Sequence, residues 1–356
     1  MISAPRDFPE SDSLAADAAP PGGWSKALVA YRQPELWRSL VEIAVTAGPL
    51  LIIWTAAWAL HRAGFWWAAL LLTLPAAAFL VRLFMIQHDC GHGSFFGLRQ
   101  ANEWVGRAIG VLTLTPYDYW RQAHAIHHAT SGNLDRRGLG AIRILTTEEY
   151  RALRPMQRLG YRLYRNPLVM FGLGPAYLFF LEQRLPVGMM RQGLRPWLSV
   201  AGNTAAALAA LGALIWLFGP APVLTVNLLT LVLAATIGVW LFYVQHQFEG
   251  AVWRRNGDWD RDASALECSS HYDLPPVLRW FTANIGIHHV HHLSSRIPFY
   301  RLPSVLKDHP QLKAQSRVGL WESFRYATLA LWDEAEGRLV TFREARRARR
   351  RPVAAG

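Results

Sequence analysis

The sequence predicts an all-α polytopic membrane protein, with four transmembrane helices and a helical cytosolic cap that carries a metal site. Three observations lead there. Four apolar runs are each long enough to cross a bilayer, which takes about 20 apolar residues in a helix. Ten of the thirteen histidines fall in three clusters and one outlier, each beside or downstream of such a run. The positive charge is 34 arginines against three lysines, and it lies between and after the apolar runs.

Residues 1–37 read as a polar, Pro-rich cytosolic leader that lacks the apolar core of a signal peptide. The first span is expected at about residues 40–60, with Gly48-Pro49 as a kink. The second is expected at about residues 65–86, where Arg82 near its end can snorkel to the interface. Only His61-Arg62-Ala63-Gly64 separates them, a tight link between antiparallel helices. The third and fourth spans are expected at about residues 197–218 and 222–244, joined by Gly219-Pro220-Ala221. A fifth apolar run, Leu168–Leu181, has fourteen residues and is broken by Gly172, Gly174 and Pro175. It is short for a span and suits an interfacial or re-entrant segment. The membrane domain so drawn covers residues 38–310. Residues 311–356 are expected as a basic cytosolic tail, with Arg346, Arg347, Arg349, Arg350 and Arg351 able to meet anionic lipid or an acidic partner.

Composition sets the side and the compartment. The chain has 356 residues, 52% hydrophobic and 17% charged, with a mean hydropathy of +0.10, so apolar spans are diluted by a sizeable polar part. The net charge of +12 could signal nucleic acid. Its placement suits a cytoplasmic membrane face instead, and no nucleic-acid partner is expected. The stretch from Gln87 to Pro196 holds fourteen arginines and no lysine. Positive residues stay inside, so the histidine side and both termini are expected in the cytoplasm, at a bacterial inner membrane. With four spans all ten clustered histidines share that side; a fifth would split them. Cys90 and Cys268 form no disulfide framework.

The histidines carry the chemistry. His88-Asp89-Cys90-Gly91-His92 places two imidazoles at i and i+4. His124-Ala125-Ile126-His127-His128 and His288-His289-Val290-His291-His292 each place three at i, i+3 and i+4. On a helix those positions share a face. His88 follows the second span and His246 the fourth, so both come at the cytosolic ends of membrane helices. Imidazole suits iron, zinc and copper. A closed structural zinc site takes four ligands and favours cysteine, so nine or ten histidines fit two irons with an open position for oxygen better. Asp89, Asp118, Asp135, Glu249 and Asp273 are candidates to orient the rings.

The three boxes and their spacing around four spans resemble the integral-membrane fatty acid desaturases, in particular the bacterial acyl-lipid Δ12/ω-6 type. Flanking residues agree over roughly residues 40–310: Thr115-Pro116-Tyr117, Gly132-Asn133-Leu134-Asp135, Asn284-Ile285-Gly286 and Arg296-Ile297-Pro298. The resemblance implies two non-haem irons that use O2 to remove two hydrogens from a membrane-lipid acyl chain. It assigns His88, His92, His124, His128 and His291 to one iron, and His127, His246, His288 and His292 to the other. His246, in Tyr243-Val244-Gln245-His246, matches the family's additional histidine after the last span. In some members an Asn one turn earlier holds a water on the metal; here that position is Phe242, leaving Gln245 or Asn284 as replacements. His289 is left out of the ligand set, and His61, His271 and His309 are read as interface or surface histidines. Thr115, Tyr117, Tyr119 and Trp120 are candidates to line an apolar substrate channel, or else to anchor the interface.

Nothing in the chain supplies electrons. It has no fused cytochrome b5 stretch, no cysteine cluster for an iron–sulfur centre and no dinucleotide fingerprint. A separate ferredoxin with its reductase is expected, with a cytochrome b5-like carrier as the alternative. A hydroxylase or ketolase acting on a lipid, alkane or carotenoid could use the same metal core. A metal transporter would need polar groups at mid-membrane depth, and the four spans are nearly free of them.

Overall fold

A computed structural model of the chain describes residue 20 and residues 23–348. Most of the expected leader, and Arg349, Arg350 and Arg351, lie outside the described residues. The helices that position the site are, in chain order, α1 (Leu36–Arg62), α2 (Trp66–His92), α3 (Arg99–Leu112), α4 (Tyr117–Thr130), α5 (Thr147–Ala152), α6 (Pro155–Tyr164), α7 (Gly174–Phe180), α8 (Leu194–Phe218), α9 (Pro220–His246), α10 (Pro276–Phe281), α11 (His288–Leu293) and α12 (Phe342–Ala348).

Four of them, α1, α2, α8 and α9, are long and apolar enough to cross a membrane. Helix α2 sits at the centre, packed against α1, α3 and α9. The outer faces stay apolar and uncovered: Ile52, Leu71, Leu208 and Trp216 are all exposed. That pattern would be a liability in water and is the ordinary surface of a helix in lipid. At about 1.5 Å per residue, a helix the length of α2 reaches roughly 40 Å, against a hydrocarbon core of about 30 Å. The surplus carries α2 beyond its apolar run through Gln87–His92, and α9 through His246. Both helices therefore deliver histidines on rigid, continuous backbone. The expected kink does not interrupt α1, which runs through Pro49.

The fifth apolar run forms no membrane-length helix, which fits the expected interfacial or re-entrant segment. It forms a π-helical turn, Val169–Leu173, followed by α7. Pro175 has no N–H, so the Phe171 carbonyl lacks its usual helical donor. The Thr236 hydroxyl on α9 donates to that carbonyl at 3.0 Å. Thr236 stands ten residues before His246, about 15 Å along the helix, so the segment reaches well into the span region beside α9. Beyond α7, Arg184 bonds the Leu114 carbonyl and the Asn203 side chain.

Two small sheets sit in the cap. Strands β1 (Leu145–Thr146), β4 (Leu329–Asp333) and β5 (Arg338–Thr341) form one, and β2 (His271–Asp273) pairs in parallel with β3 (Arg317–Gly319) in the other. Residues 311–348, expected as a basic tail, are thus folded into the cap. Every residue of β4 is buried, so it shows no alternation by which a strand could be read, and the flanking arginines dominate the composition.

Arg82 does not snorkel. It is 2% exposed and meets Glu42 of α1 at 2.5 Å and Thr46 Oγ1 at 3.2 Å. It also donates to the Trp280 carbonyl and lies over the Trp280 ring at 3.9 Å. A lone guanidinium in apolar surroundings is costly, so pairing with a carboxylate wins over reaching for water. The pair clamps α10 onto α1 and α2, just ahead of the third histidine box. Removing one partner from a buried pair costs about 3–5 kcal/mol. Glu42→Gln is expected to lower the thermal unfolding midpoint in detergent far more than Arg38→Gln, whose side chain is exposed. The Glu42→Gln/Arg82→Met double variant should regain part of the loss. A Glu42→Gln midpoint equal to wild type would refute the clamp.

Candidate metal centre

Each histidine box lies on a helix, so its i, i+3 and i+4 spacing becomes a shared face. His88 and His92 end α2, His124, His127 and His128 lie on α4, His246 ends α9, and His288, His291 and His292 lie on α11. Their donor nitrogens gather in two sets, His88, His92, His124, His128 and His291, and His127, His246, His288 and His292, each within 4.8 Å. The sets adjoin: the His128 ring stacks on His292 with centroids 4.1 Å apart.

The contacts inside each set are not a hydrogen-bond network. His124 Nε2 lies 3.1 Å from both His92 Nε2 and His128 Nε2. His246 Nε2 lies 3.1 Å from His127 Nε2 and 3.0 Å from His288 Nε2. An imidazole nitrogen offers one in-plane site, either a proton or a lone pair, so it cannot serve two such partners. Lone pairs converging on one point are accounted for by a cation there. Two nitrogens about 2.1 Å from one ion, at right angles, would be roughly 3.0 Å apart, which matches. Burial holds His128, His291 and His292 well below the usual imidazole range, so they stand as neutral donors. The residues present therefore fit a metal.

Hydrogen bonds at the far nitrogens set the rings. The Asp89 carboxylate faces His88 Nδ1 at 3.2 Å and accepts from the Phe299 N–H at 2.7 Å. The Cys268 carbonyl accepts from His246 Nδ1 at 2.9 Å, which turns the Nε2 lone pair inward. The fourth histidine of the third box points away: His289 Nε2 donates to the Leu312 carbonyl at 2.8 Å. Gly91 has no side chain because Trp120 lies against it; a Cβ there would sit 2.8 Å from the Trp120 ring. Trp120 in turn stacks on His124, 4.7 Å between centroids and 15° from parallel. Gly286 passes so close to the Tyr272 carbonyl that a Cβ would sit 2.3 Å from it.

Several expected roles are corrected. Of the four channel candidates, Trp120 is the one that stacks against the histidines, because it lies one turn before His124 on the same face. Tyr117 donates to the Cys90 carbonyl and Tyr119 to the Val187 carbonyl, while Thr115 donates to the Thr113 carbonyl. The two tyrosine contacts brace separate segments, and the Thr115 contact is local to its turn. Asp135 pairs with Arg255 at 2.7 Å and accepts from the Asn256 N–H. Asp118 pairs with Arg107, and Asp273 with Arg279 and Arg317. Glu249 is exposed. Gln245 donates to the Ile285 carbonyl and Asn284 to the Phe299 carbonyl, each through its side-chain NH2. Phe242 packs its ring against His127 and His246, at 5.0 and 5.4 Å. His271 is buried and donates to the Lys313 carbonyl, so it is no surface histidine. His309 packs against Trp24 and Tyr31.

His246→Ala is expected to lower bound metal and activity together, since it removes a donor that nothing nearby replaces. His309→Ala should keep both. Metal content by mass spectrometry is the check, and full metal occupancy in His246→Ala would remove that residue from the ligand set.

Residues 64–324 match the family model for fatty acid desaturase. A protein named fatty acid desaturase from Bacillus subtilis (strain 168) is 42% identical over 319 residues, 90% of each chain. An sn-1 acyl-lipid omega-3 desaturase (ferredoxin) from Synechocystis is 29% identical over 70% of this chain and 67% of its own. An sn-1 oleoyl-lipid 12-desaturase from the same organism is 26% identical over 71% of this chain and 69% of its own. With four helices able to span a membrane and histidine clusters able to hold metal, this chain belongs to the fatty acid desaturase family and is an oxidoreductase of the membrane.

Proposed function

We propose that the chain inserts a second double bond, of the Δ12/ω-6 type, into membrane-lipid acyl chains at a centre of two non-haem irons. The observation that carries this reading is the pair of adjoining nitrogen sets, five histidines and four. The family resemblance implies the same division of ligands, which supports the reading. When bound, iron would supply the O2 activation that hydrogen removal from an unactivated methylene needs. One O2, two electrons and two protons turn a CH2–CH2 unit into CH=CH with release of two waters.

The chain's own residues hold the site in place. Asp89 and the Cys268 carbonyl set the tautomers of His88 and His246. Trp120 and Phe242 cover the rings with apolar surface and exclude water. A ferredoxin with its reductase is the proposed donor; a relative whose name carries ferredoxin supports it. The 12-position is supported by a relative named for it, and the omega-3 relative makes that position the second reading. We place the histidine side in the cytoplasm of a bacterial inner membrane, on the arginines of the segments beside it.

Expressed with a ferredoxin and its reductase, the full chain should turn mono-unsaturated membrane acyl chains into di-unsaturated ones, read by lipid mass spectrometry. Conversion should stop without O2 or without the donor, and the purified protein should hold two irons. Hydroxylated products would sink desaturation while leaving the metal centre standing. Cysteines placed at Arg137 and Arg347 should label from the cytoplasm and one at Pro220 from outside; the reverse pattern would overturn the orientation.

A further inference from the structure

Away from the histidines, α5, α6 and α12 enclose a groove of about 390 Å³. Four arginines line it, Arg151, Arg158, Arg162 and Arg346, together with Tyr150 and Phe342. The guanidiniums are held by neutral groups. Arg162 Nε donates to the Tyr150 hydroxyl at 2.6 Å and its guanidinium lies 5.3 Å from the Phe342 ring centre. Arg158 donates to the Leu153 and Arg151 carbonyls, and Arg151 to the Ala345 carbonyl. Among the described residues no carboxylate forms an ion pair with any of the four. Five other arginines of the cap are paired instead: Arg137, Arg254, Arg255, Arg317 and Arg338 each meet an Asp or Glu. Charge complementarity in this groove is therefore left to an anion from outside, and guanidinium forks suit the oxygens of a phosphate.

The groove's position selects the source of that phosphate. On α6, Met156, Leu159 and Leu163 form an exposed apolar stripe, and Leu168 just beyond is 83% exposed. Leu159 also lines the groove, so the stripe and the groove are continuous. Immediately after α6, Arg165 bonds Gln247 at 2.9 Å and reaches the Tyr243 hydroxyl at 3.4 Å. That puts α6 level with the histidine-side end of α9, where lipid headgroups lie, and the re-entrant segment follows directly. We propose that this groove binds the phosphate of an anionic phospholipid of the surrounding leaflet, with its acyl chains along the α6 stripe. The proposal concerns a site apart from the metal centre and holds whichever bond the enzyme desaturates.

The test uses the purified full chain, metal-loaded, in detergent micelles containing phosphatidylglycerol and phosphatidylcholine in equal amounts. Retained lipid is counted by native mass spectrometry. Wild type should retain phosphatidylglycerol in preference, and Arg158→Gln/Arg162→Gln should reduce that preference about tenfold. Arg158→Lys/Arg162→Lys should fall between them, because it keeps charge without the fork. Arg343→Gln, exposed on α12 outside the groove, should match wild type. Unchanged iron content in every variant shows that the fold is intact. Equal retention of the two lipids by wild type would overturn the proposal. Complete displacement of the lipid by inorganic phosphate would identify a free-phosphate site instead. A double variant that keeps its lipid preference but turns over more slowly with an acidic electron carrier would make the groove a protein docking site.

Discussion

Nine imidazole nitrogens must be dry, neutral and aimed at two adjoining points, and the helices that carry them answer to that demand. Desolvating a nitrogen lone pair without giving it a partner is unfavourable. Here the lone pairs of four chain segments face one another instead of hydrogen-bond donors. Such an arrangement needs stiff backbone behind each ring, and it is helped where the opposite ring nitrogen has a partner. The overshoot of α2 and α9 beyond the bilayer supplies the stiffness. Asp89 and the Cys268 carbonyl occupy the opposite nitrogens of His88 and His246.

The membrane supplies the second constraint, and it acts through satisfaction of polar groups. Two departures from regular apolar helix occur at depth, and each is matched locally. The carbonyl freed by Pro175 takes the Thr236 hydroxyl, and the guanidinium of Arg82 takes Glu42. Each match also ties two segments together, the re-entrant segment to α9 and α1 to α2. Polar groups that would be liabilities in lipid thus double as fasteners between helices.

Legibility in the sequence followed periodicity. The four spans and the three boxes could be read because a 20-residue apolar run and an i, i+3, i+4 pattern each have one physical meaning. The depth of the re-entrant segment was half-readable from its length and its Gly and Pro residues. Arg82 was misread because its partner lies 40 positions away in sequence, and nothing local distinguishes a snorkelling arginine from a paired one. The bracing by Tyr117 and Tyr119 is hidden for a related reason: they spend their hydroxyls on backbone carbonyls of distant segments, and a carbonyl leaves no mark on composition.

The same blindness to carbonyls hid the role of the C-terminal region. The third box has four histidines, and the nitrogen that leaves the set is the one that explains residues 311–348. His289 is fully buried and bonds the Leu312 carbonyl, while neighbouring His271 bonds the Lys313 carbonyl. The two rings lie 5.5 Å apart, and the His271 N–H donates to the Ser316 carbonyl as β2 pairs with β3. Helix α11 has only six residues, too few to hold an orientation alone. It is gripped from behind by the segment that composition presents as a basic tail. In the ligand geometry, residues 311–319 buttress His288, His291 and His292 although none of them touches a metal-binding nitrogen. A short helix carrying three donors is thus positioned by its fourth histidine.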